Sequence, residues 1–331
     1  MENKLYKCFR VYEEDGIFKS KIELQPLAQL HAPDNVLVKV SYSSLNYKDA
    51  LSTSGHKGIT RKFPHTPGID AVGEVTEIGK SNFSKGQKVL VTSYDLGMNT
   101  PGGFSEFISI PAAWVVPLPD GMSELQSMIL GTAGFTAALA LYKMEQCGQN
   151  PEMGKILVTG ATGAVGSLSL ALLKKCGYES IASSGKTDKH DYLKSLGANE
   201  IIDRAAVNDD SKKPFLSVRW AGAIDTIGGN TLETILKSTG HNANVAVCGL
   251  VASPNFNTTV YPFIIKGNNL LGVESAECDY ELRVKLWGKL ANEWSIDFPS
   301  NAVDICSLDD LSDRIQKMLQ SKLFGRVVVK I

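Results

Sequence analysis

The chain has 331 residues, 43% hydrophobic and 21% charged. That composition excludes a largely disordered protein and supplies apolar material for about two cores. Lys and Arg number 34 against 35 Asp and Glu, a formal net charge of −1, which argues against a bulk nucleic-acid binder, because phosphate contacts need a concentrated positive field.

The N-terminal residues MENK lead directly into a strand-like segment at 5–11. With no apolar h-region and no small-residue cleavage site, no secretory signal is expected. The longest clean apolar run, 245–252, is strand-sized and far short of the roughly 18 residues a membrane span needs. Six cysteines (Cys8, Cys147, Cys176, Cys248, Cys278, Cys306) are scattered without a close pair, the pattern of free thiols in a reducing cytosol. A cytoplasmic location, with neither membrane nor nucleic acid as a partner, is the expectation.

The opening third of the chain reads as β-rich. Residues 35–42 (NVLVKVSY) alternate apolar and polar with period two, and residues 71–78 (AVGEVTEI) do so again. Turn residues at 79–80 and 86–88 precede Val89-Leu90-Val91, and 104–110 and 114–118 are further short strands. Dense strands between glycine and proline turns predict a small barrel-like domain. The texture changes near Gly121. Ser123 can cap a helix from Glu124 that carries Leu125, Met128, Ile129 and the apolar stretch 137–141. Strands then alternate with helices: strand 155–159 (KILVT), helix 167–176, strand 180–183, helix 189–196, strand 200–203. Strands at 223–226, 244–248 and 270–273 follow, with a helix at 231–238. Such alternation predicts a doubly wound parallel sheet covered on both faces. An amphipathic helix at 308–320, Gly325 and a terminal strand at 326–331 complete the chain, which has no internal repeat. The expected organisation is a β-rich domain over 1–122, a parallel-sheet domain over 123–275, and a return to the first domain over 276–331.

Between the strand at 155–159 and the next helix lies GATGAVG, residues 160–166. A dinucleotide loop needs small residues there. The turn is tight, the backbone must approach the pyrophosphate, and the helix must pack close to the sheet. Ala161 takes the first glycine position, with Gly163 and Gly166 in the other two. Ala161, Thr162, Gly163, Ala164 and Val165 are the expected pyrophosphate contacts, on the positive end of the helix. NAD-specific sites place a carboxylate at the end of the second strand. This chain has Ser183-Ser184-Gly185-Lys186 instead. Hydroxyls and a cation suit a 2′-phosphate, and Arg204 offers a second charge. NADPH is the cofactor expected, although Lys186 and Arg204 also read as solvated surface charges and nearby Asp188 leaves NAD open.

Five histidines (His31, His56, His65, His190, His241) lack ligand spacing, so no metal site is expected.

Four motifs, PHTPGIDAVGEV at 64–75, GGFSEF at 102–107, GTAGFTA at 131–137 and the loop at 160–166, together resemble the medium-chain dehydrogenase/reductase superfamily across essentially the whole chain. The resemblance implies a Rossmann cofactor domain and a GroES-like catalytic domain. Zinc-dependent members carry a cysteine where this chain has LNYKD (45–49) and a Gly-His-Glu segment where it has GID (68–70). Within the zinc-free branch, SSLNYKDAL (43–51), WAGAIDTIG (220–228) and TTVYPFI (258–264) resemble the YhdH/YhfP-type quinone oxidoreductases, a family that includes NADPH-dependent acrylyl-CoA reductases. That resemblance implies a homodimer reducing an activated carbon–carbon double bond, with a small enone, an acyl-CoA or a quinone as partner.

In such a reaction the cofactor performs the hydride step while the protein supplies orientation and electrostatics. Asn46 and Tyr47 are the catalytic candidates. Tyr47 either contacts nicotinamide and substrate and donates a proton, or simply walls the cleft. Asn46 is a hydrogen-bond donor for the substrate carbonyl or a ribose, Lys48 reads as surface, and Asp49 reads as a helix cap. The resemblance adds Leu250, Ile264 and Ser321 as cofactor contacts beside Tyr47, Ser184, Gly185, Lys186 and Arg204. Gly249 needs only to let the chain turn, and the apolar strand near 273 offers a sheet edge for a second copy. Three functions compete: enoyl-thioester reduction, quinone reduction with the same cofactor, and non-catalytic NADPH binding. Lys57, Arg61 and Lys62 separate the first two, as either CoA-phosphate ligands or an ordinary solvated loop.

Overall fold

The structure, a computed structural model, describes residues 4–331; residues 1–3, part of the segment read above for a signal, lie outside it. In chain order the first elements are β1 (Leu5–Glu14), β2 (Ile17–Pro26), α1 (Leu27–Leu30), β3 (Val36–Leu45), α2 (Tyr47–Thr53), β4 (Asp70–Glu77), β5 (Lys88–Thr92), β6 (Phe107–Ile110) and β7 (Val116–Pro117). Helix α3 (Glu124–Gln146) leads into β8 (Ile156–Val158), α4 (Ala164–Lys175), β9 (Ser180–Ser183), α5 (His190–Ser195) and β10 (Glu200–Ile202). Then come β11 (Trp220–Asp225), α6 (Gly229–Ser238), β12 (Thr239–Val247), α7 (Tyr261–Ile264) and β13 (Asn269–Gly272). The chain closes with α8 (Tyr280–Ala291), β14 (Val303–Ser307), α9 (Leu311–Leu319) and β15 (Arg326–Lys330).

Two compact units result. One comprises residues 1–132, 276–291 and 300–331; the other comprises 133–275 and 292–299. The first unit therefore runs past the boundary expected at 122, because α3 breaks at Gly131 (φ 50°, ψ −155°) and only its second half belongs to the parallel-sheet unit. Residues 292–299 also leave the expected C-terminal return and join the second unit. By length and composition α3 passes as a membrane span, yet 72% of its most apolar window is buried within the protein, as in the core helix of a globular fold.

The first unit is built on a seven-stranded sheet in the order β14-β15-β3-β4-β5-β7, with β6 also on β3. Strand β3 serves three partners along its length: β6 over Val36–Lys39, β4 over Leu37–Ser43, and β15 over Tyr42–Leu45. Register shifts at Leu37/Val38 and Val40/Tyr42 let one strand turn from one partner to the next. Its inward valines meet Ala71, Val75, Val89, Val91, Ile108 and Ile110 in one core. Phe9, Leu45, Phe104, Leu311, Ile315 and Val327 form a second.

The second unit is a six-stranded sheet ordered β10-β9-β8-β11-β12-β13, parallel throughout. Numbered from β8, this is the 3-2-1-4-5-6 order of a doubly wound dinucleotide fold. Every residue of β8 and β9 is buried, as expected for strands covered on both faces.

Strand β2, helix α8 and strand β14 carry no strong periodic signal in the sequence. In α8 a fully buried Arg283 interrupts the apolar face. Its Nη1 donates to the Thr92 carbonyl (3.0 Å) and hydroxyl (3.1 Å), and Nη2 donates to the Ala276 carbonyl (2.9 Å). The guanidinium also lies 4.3 Å from the Tyr94 ring centroid. Replacing it with an apolar chain removes the guanidinium donors from Thr92, and the Ala276 carbonyl keeps the Tyr94 N–H at 3.2 Å. Arg283→Met is expected to cost about 2–4 kcal/mol and to lower the melting temperature by at least about 5 °C in thermal unfolding.

Candidate active site

Helix α2 opens where β3 ends. Asn46 is extended (φ −120°, ψ 163°), and its N–H donates to Asp49 Oδ2 at 2.8 Å, half of the reciprocal arrangement that starts helices. Asp49 does more than cap. Its Oδ1 accepts from Gly68 N (3.1 Å) and Ile69 N (2.9 Å), tying the helix entrance to the turn before β4. At Gly68 (φ +112°) a Cβ would come within 2.6 Å of Phe104 N, so no side chain fits there. Asp49 is completely buried. Desolvation, with neighbouring Asp70 adding to it, raises its carboxyl to about 7 against the pull of three backbone N–H groups.

Asp70, the first residue of β4, is the centre of this unit's polar interior. Its Oδ2 accepts from Ser44 Oγ (2.6 Å), Asn46 Nδ2 (2.7 Å) and Thr132 N (2.9 Å), while Oδ1 accepts from Thr132 Oγ1 (2.5 Å). From β15, Arg326 donates through Nη1 to Asn46 Oδ1 (3.3 Å), through Nε to the Ile129 carbonyl (2.7 Å) and through Nη2 to the Met128 carbonyl (3.4 Å). Gly131 threads between them: a Cβ there would lie 2.4 Å from Asp70 Oδ2 and 2.6 Å from Ser44 Oγ.

This network redefines Asn46. Both polar atoms of its amide are engaged inside the protein, also reaching the Ser44 carbonyl at 3.3 Å, so it is a positioning residue rather than a group free to meet substrate. Tyr47, the first helical residue, is 53% exposed and presents its ring outward. Lys48 is half-buried, and Lys57, Arg61 and Lys62 are exposed. The donors around Asp70 also decide the fit of a zinc ion: its carboxylate is filled by hydroxyl and N–H hydrogens, and Leu45, Asn46, Gly68 and Ile69 offer no ligand. Among the described residues no group of three His, Cys, Asp or Glu side chains is placed to hold a metal. The residues present do not fit zinc.

In the second unit the loop after β8 is held by close approach. At Gly160 (φ +57°) a Cβ would lie 2.3 Å from Thr226 Oγ1, and at Gly166 one would lie 2.4 Å from the Gly160 carbonyl oxygen. Ala161 and Thr162 are buried, Gly163 is exposed, and Ala164 and Val165 are half-buried. The first N–H groups of α4, from Ala164 onward, have no acceptor within the helix, so the loop fits a pyrophosphate. Ala161 N donates to the Ser183 carbonyl (3.2 Å), binding the loop to β9.

At the end of β9, Ser184 Oγ accepts from Lys186 N (3.0 Å). A Cβ on Gly185 would lie 2.9 Å from Arg204 Nε, so the guanidinium stem rests on that glycine's backbone. Ser184, Gly185, Lys186 and Arg204 are thus brought together from two strand ends. Burial holds the Lys186 amine below the ordinary lysine value, Asp188 pulling it back up. Asp188 itself pairs with Lys189 at 3.0 Å.

Four features of the site go beyond the sequence reading. Arg326 and Asp70 are two; their signals are an arginine opening the apolar strand RVVVK and an aspartate opening an apolar one. Asp225 is the third. Fully buried, it accepts from Thr159 Oγ1 (2.6 Å), Gly228 N (2.9 Å) and Ile227 N (3.2 Å), fastening the carboxyl ends of β8 and β11 where the strand order reverses. The fourth is Gly249, which does more than let the chain turn: a Cβ would sit 2.1 Å from the Thr226 carbonyl oxygen. Leu250 and Ile264 are 64% and 72% exposed. Ser321 is exposed and left-handed (φ 56°), its N–H on the Met318 carbonyl at 2.9 Å, closing the end of α9.

Residues 32–120 match the alcohol dehydrogenase GroES-like domain, and residues 164–285 match the zinc-binding dehydrogenase family. The Bacillus subtilis protein YhfP, a quinone oxidoreductase by name, is 42% identical over 299 residues, covering 90% of this chain and 91% of YhfP. Its crystal structure with NAD bound superposes with a TM-score of 0.95, at 38% identity over 99% of this chain and 100% of that one. The acrylyl-CoA reductase AcuI of Ruegeria pomeroyi is 38% identical, covering 96% of each chain. The YhdH oxidoreductase of Salmonella enterica, solved with NADP, gives a TM-score of 0.93 at 38% identity, over 98% of this chain and 99% of that one.

The raised Asp49 carboxyl sets a pH dependence. Between its ordinary 3.8 and about 7 the folded protein holds a proton that the unfolded chain has released, so this group's contribution to stability falls as pH rises through that window. Denaturant titrations of the wild type and Asp49→Asn are expected to show the wild type losing stability relative to the variant from pH 4 to 7. A pH-independent difference between them would refute the assignment.

Proposed function

Because the chain belongs to the medium-chain dehydrogenase/reductase superfamily, in the group of YhfP and AcuI, we propose that it is an NADPH-dependent reductase of the activated C=C bond of an enone or enoyl thioester. Its most favoured substrate is acrylyl-CoA, converted to propionyl-CoA. The observation that carries this reading is the cation and hydroxyl cluster at the end of β9, where Arg204 lies on Gly185 beside Ser184 and Lys186 in place of a carboxylate. A 2′-phosphate answers that cluster, and the loop at 160–166 answers the pyrophosphate. NADPH, when bound, supplies the hydride.

The remaining work is the protein's and needs no metal. Thr162, Gly163, Ala164 and Val165 hold the diphosphate, Ser184, Gly185, Lys186 and Arg204 hold the adenosine phosphate, and Leu250 and Ile264 supply apolar contact for the nicotinamide half. Tyr47 is the exposed hydroxyl on a helix whose start is fixed twice over by Asp49. It donates a hydrogen bond to the enolate oxygen as charge develops there, or a proton to the α-carbon. Asn46, held by Asp70 and Arg326, sets where Tyr47 stands. Ser321 is retained only as a weaker cofactor contact. All six cysteines are free, consistent with a cytoplasmic enzyme. Among the described residues the outer side of β13 has no partner strand, and Val260 and Ile265 before it are 61% and 55% exposed, which supports a homodimer through that edge.

Quinone reduction is the second reading, favoured by the higher identity to YhfP. Nicotinamide oxidation followed by absorbance, with acrylyl-CoA and separately with a benzoquinone, decides between them. Turnover with acrylyl-CoA and NADPH is expected; turnover with the quinone alone selects the second reading, and tightly held NADPH without turnover selects a non-catalytic binder. Lys186→Ala with Arg204→Ala is expected to raise KM for NADPH roughly 10- to 100-fold, the loss of charged hydrogen bonds, and to leave KM for NADH nearly unchanged. Tyr47→Phe is expected to lower kcat about 10²-fold or more with a folded protein; an unchanged kcat would reduce Tyr47 to a wall of the cleft.

A further inference from the structure

Lys57, Arg61 and Lys62 stand exposed on the loop after α2. The segment 54–62 (SGHKGITRK) contains no acidic residue, and among the described residues no ion pair or side-chain hydrogen bond engages any of the three cations. The loop beneath them is nevertheless firmly built. Gly55 (φ +78°) lies flat under Phe18, where a Cβ would meet the ring at 2.0 Å, and Phe18 packs edge-on against Phe63 with centroids 5.0 Å apart. Thr60 is buried with its hydroxyl 2.6 Å from Ser52 Oγ. The Ile59 and Thr60 N–H groups donate to the His56 carbonyl at 2.8 and 3.2 Å, and Gly58 N donates to His56 Nδ1 at 3.2 Å.

Three like charges fixed on a rigid loop repel one another, and here no carboxylate relieves them. A polyanion does. The loop follows α2, whose seven residues span about 10 Å and whose first residue is Tyr47. We propose that residues 54–62 bind the phosphorylated adenosine of a CoA thioester. Lys57, Arg61 and Lys62 face its pyrophosphate and 3′-phosphate, while the pantetheine arm spans the length of α2. This rests on the acyl-CoA reading above and deepens it: the acyl end is handled near Tyr47, and the handle is recognised by charge on the same unit. Arginine suits such a role because its planar fork pairs two phosphate oxygens at once.

The test compares acrylyl-CoA with acrylyl-pantetheine, the same thioester without phosphates, in the wild type and in Lys57→Glu/Arg61→Glu/Lys62→Glu. The triple variant is expected to raise KM for acrylyl-CoA about 10- to 100-fold with kcat held, and raising salt is expected to raise that KM in the wild type only. Turnover of acrylyl-pantetheine is expected to stay the same, which also shows that the variant is folded; the neutral Gln triple is expected to fall between. Independently, calorimetry on NADP-saturated protein is expected to show adenosine 3′,5′-bisphosphate binding to the wild type and not to the Glu triple. Equal effects on both thioesters, or equal bisphosphate binding by both proteins, overturn the site. Wild-type protein that binds the bisphosphate yet reduces neither thioester overturns the acyl-CoA reading and leaves the anion site standing.

Discussion

The Asp70 carboxylate is the constraint on which the first unit depends. Burying a charge without partners is prohibitive, and this one is reached by four donor hydrogens from β3, the β3–α2 junction and the centre of α3. Each donor pins the element that carries it. Thr132 N can point inward only because α3 breaks at Gly131, and Gly131 can sit there only because it has no Cβ to collide with Asp70 and Ser44. Arg326 brings β15 into the same cluster through the Asn46 amide. Next to it, burial raises the Asp49 carboxyl to about 7, and the neighbouring Asp70 adds to that rise.

That arrangement explains how the position held by metal ligands in zinc-dependent relatives is used here. The interior is filled by hydrogen-bond donors facing a carboxylate, a geometry that immobilises without leaving lone pairs for a cation. The outcome is a short helix whose first residue, Tyr47, stands outward from a fixed base.

The second unit solves a different problem by steric means. Gly160, Gly166 and Gly249 each abut a neighbouring oxygen at a distance that no side chain tolerates, and this lets the loops after β8, β11 and β12 crowd together at the strand ends. Asp225 supplies the polar tie, and desolvation raises its carboxyl while Thr159 and two backbone N–H groups hold it down. Close backbone approach and a free helix terminus are what a diphosphate needs. The cluster of Ser184, Lys186 and Arg204, by contrast, comes from side chains at two strand ends that meet only when β9 and β10 pair.

Local chemistry made much of this legible in advance. The largely period-two pattern in 35–42 and 71–78, the apolar run of β8 and the glycine spacing at 160–166 report the fold class because each depends on neighbours a few residues apart. The absence of a carboxylate from the Ser184–Lys186 segment is legible for the same reason, and so is the capping by Asp49. What the sequence by itself determined is therefore the two kinds of domain and the small-residue loop that follows β8. Tertiary structure alone decided the rest. Arg326 and Asn46 are 280 positions apart, Arg283 and Thr92 are 191 apart, and Thr132 and Asp70 are 62 apart. No periodicity couples residues at such separations; the pairing of β15 with β3, the placing of α8 against the end of β5 and the break in α3 bring them within reach. Asn46 changed from a candidate catalytic group to a positioning residue on that ground, because a side chain's partners, and so its freedom to act, exist only once the chain has folded around it.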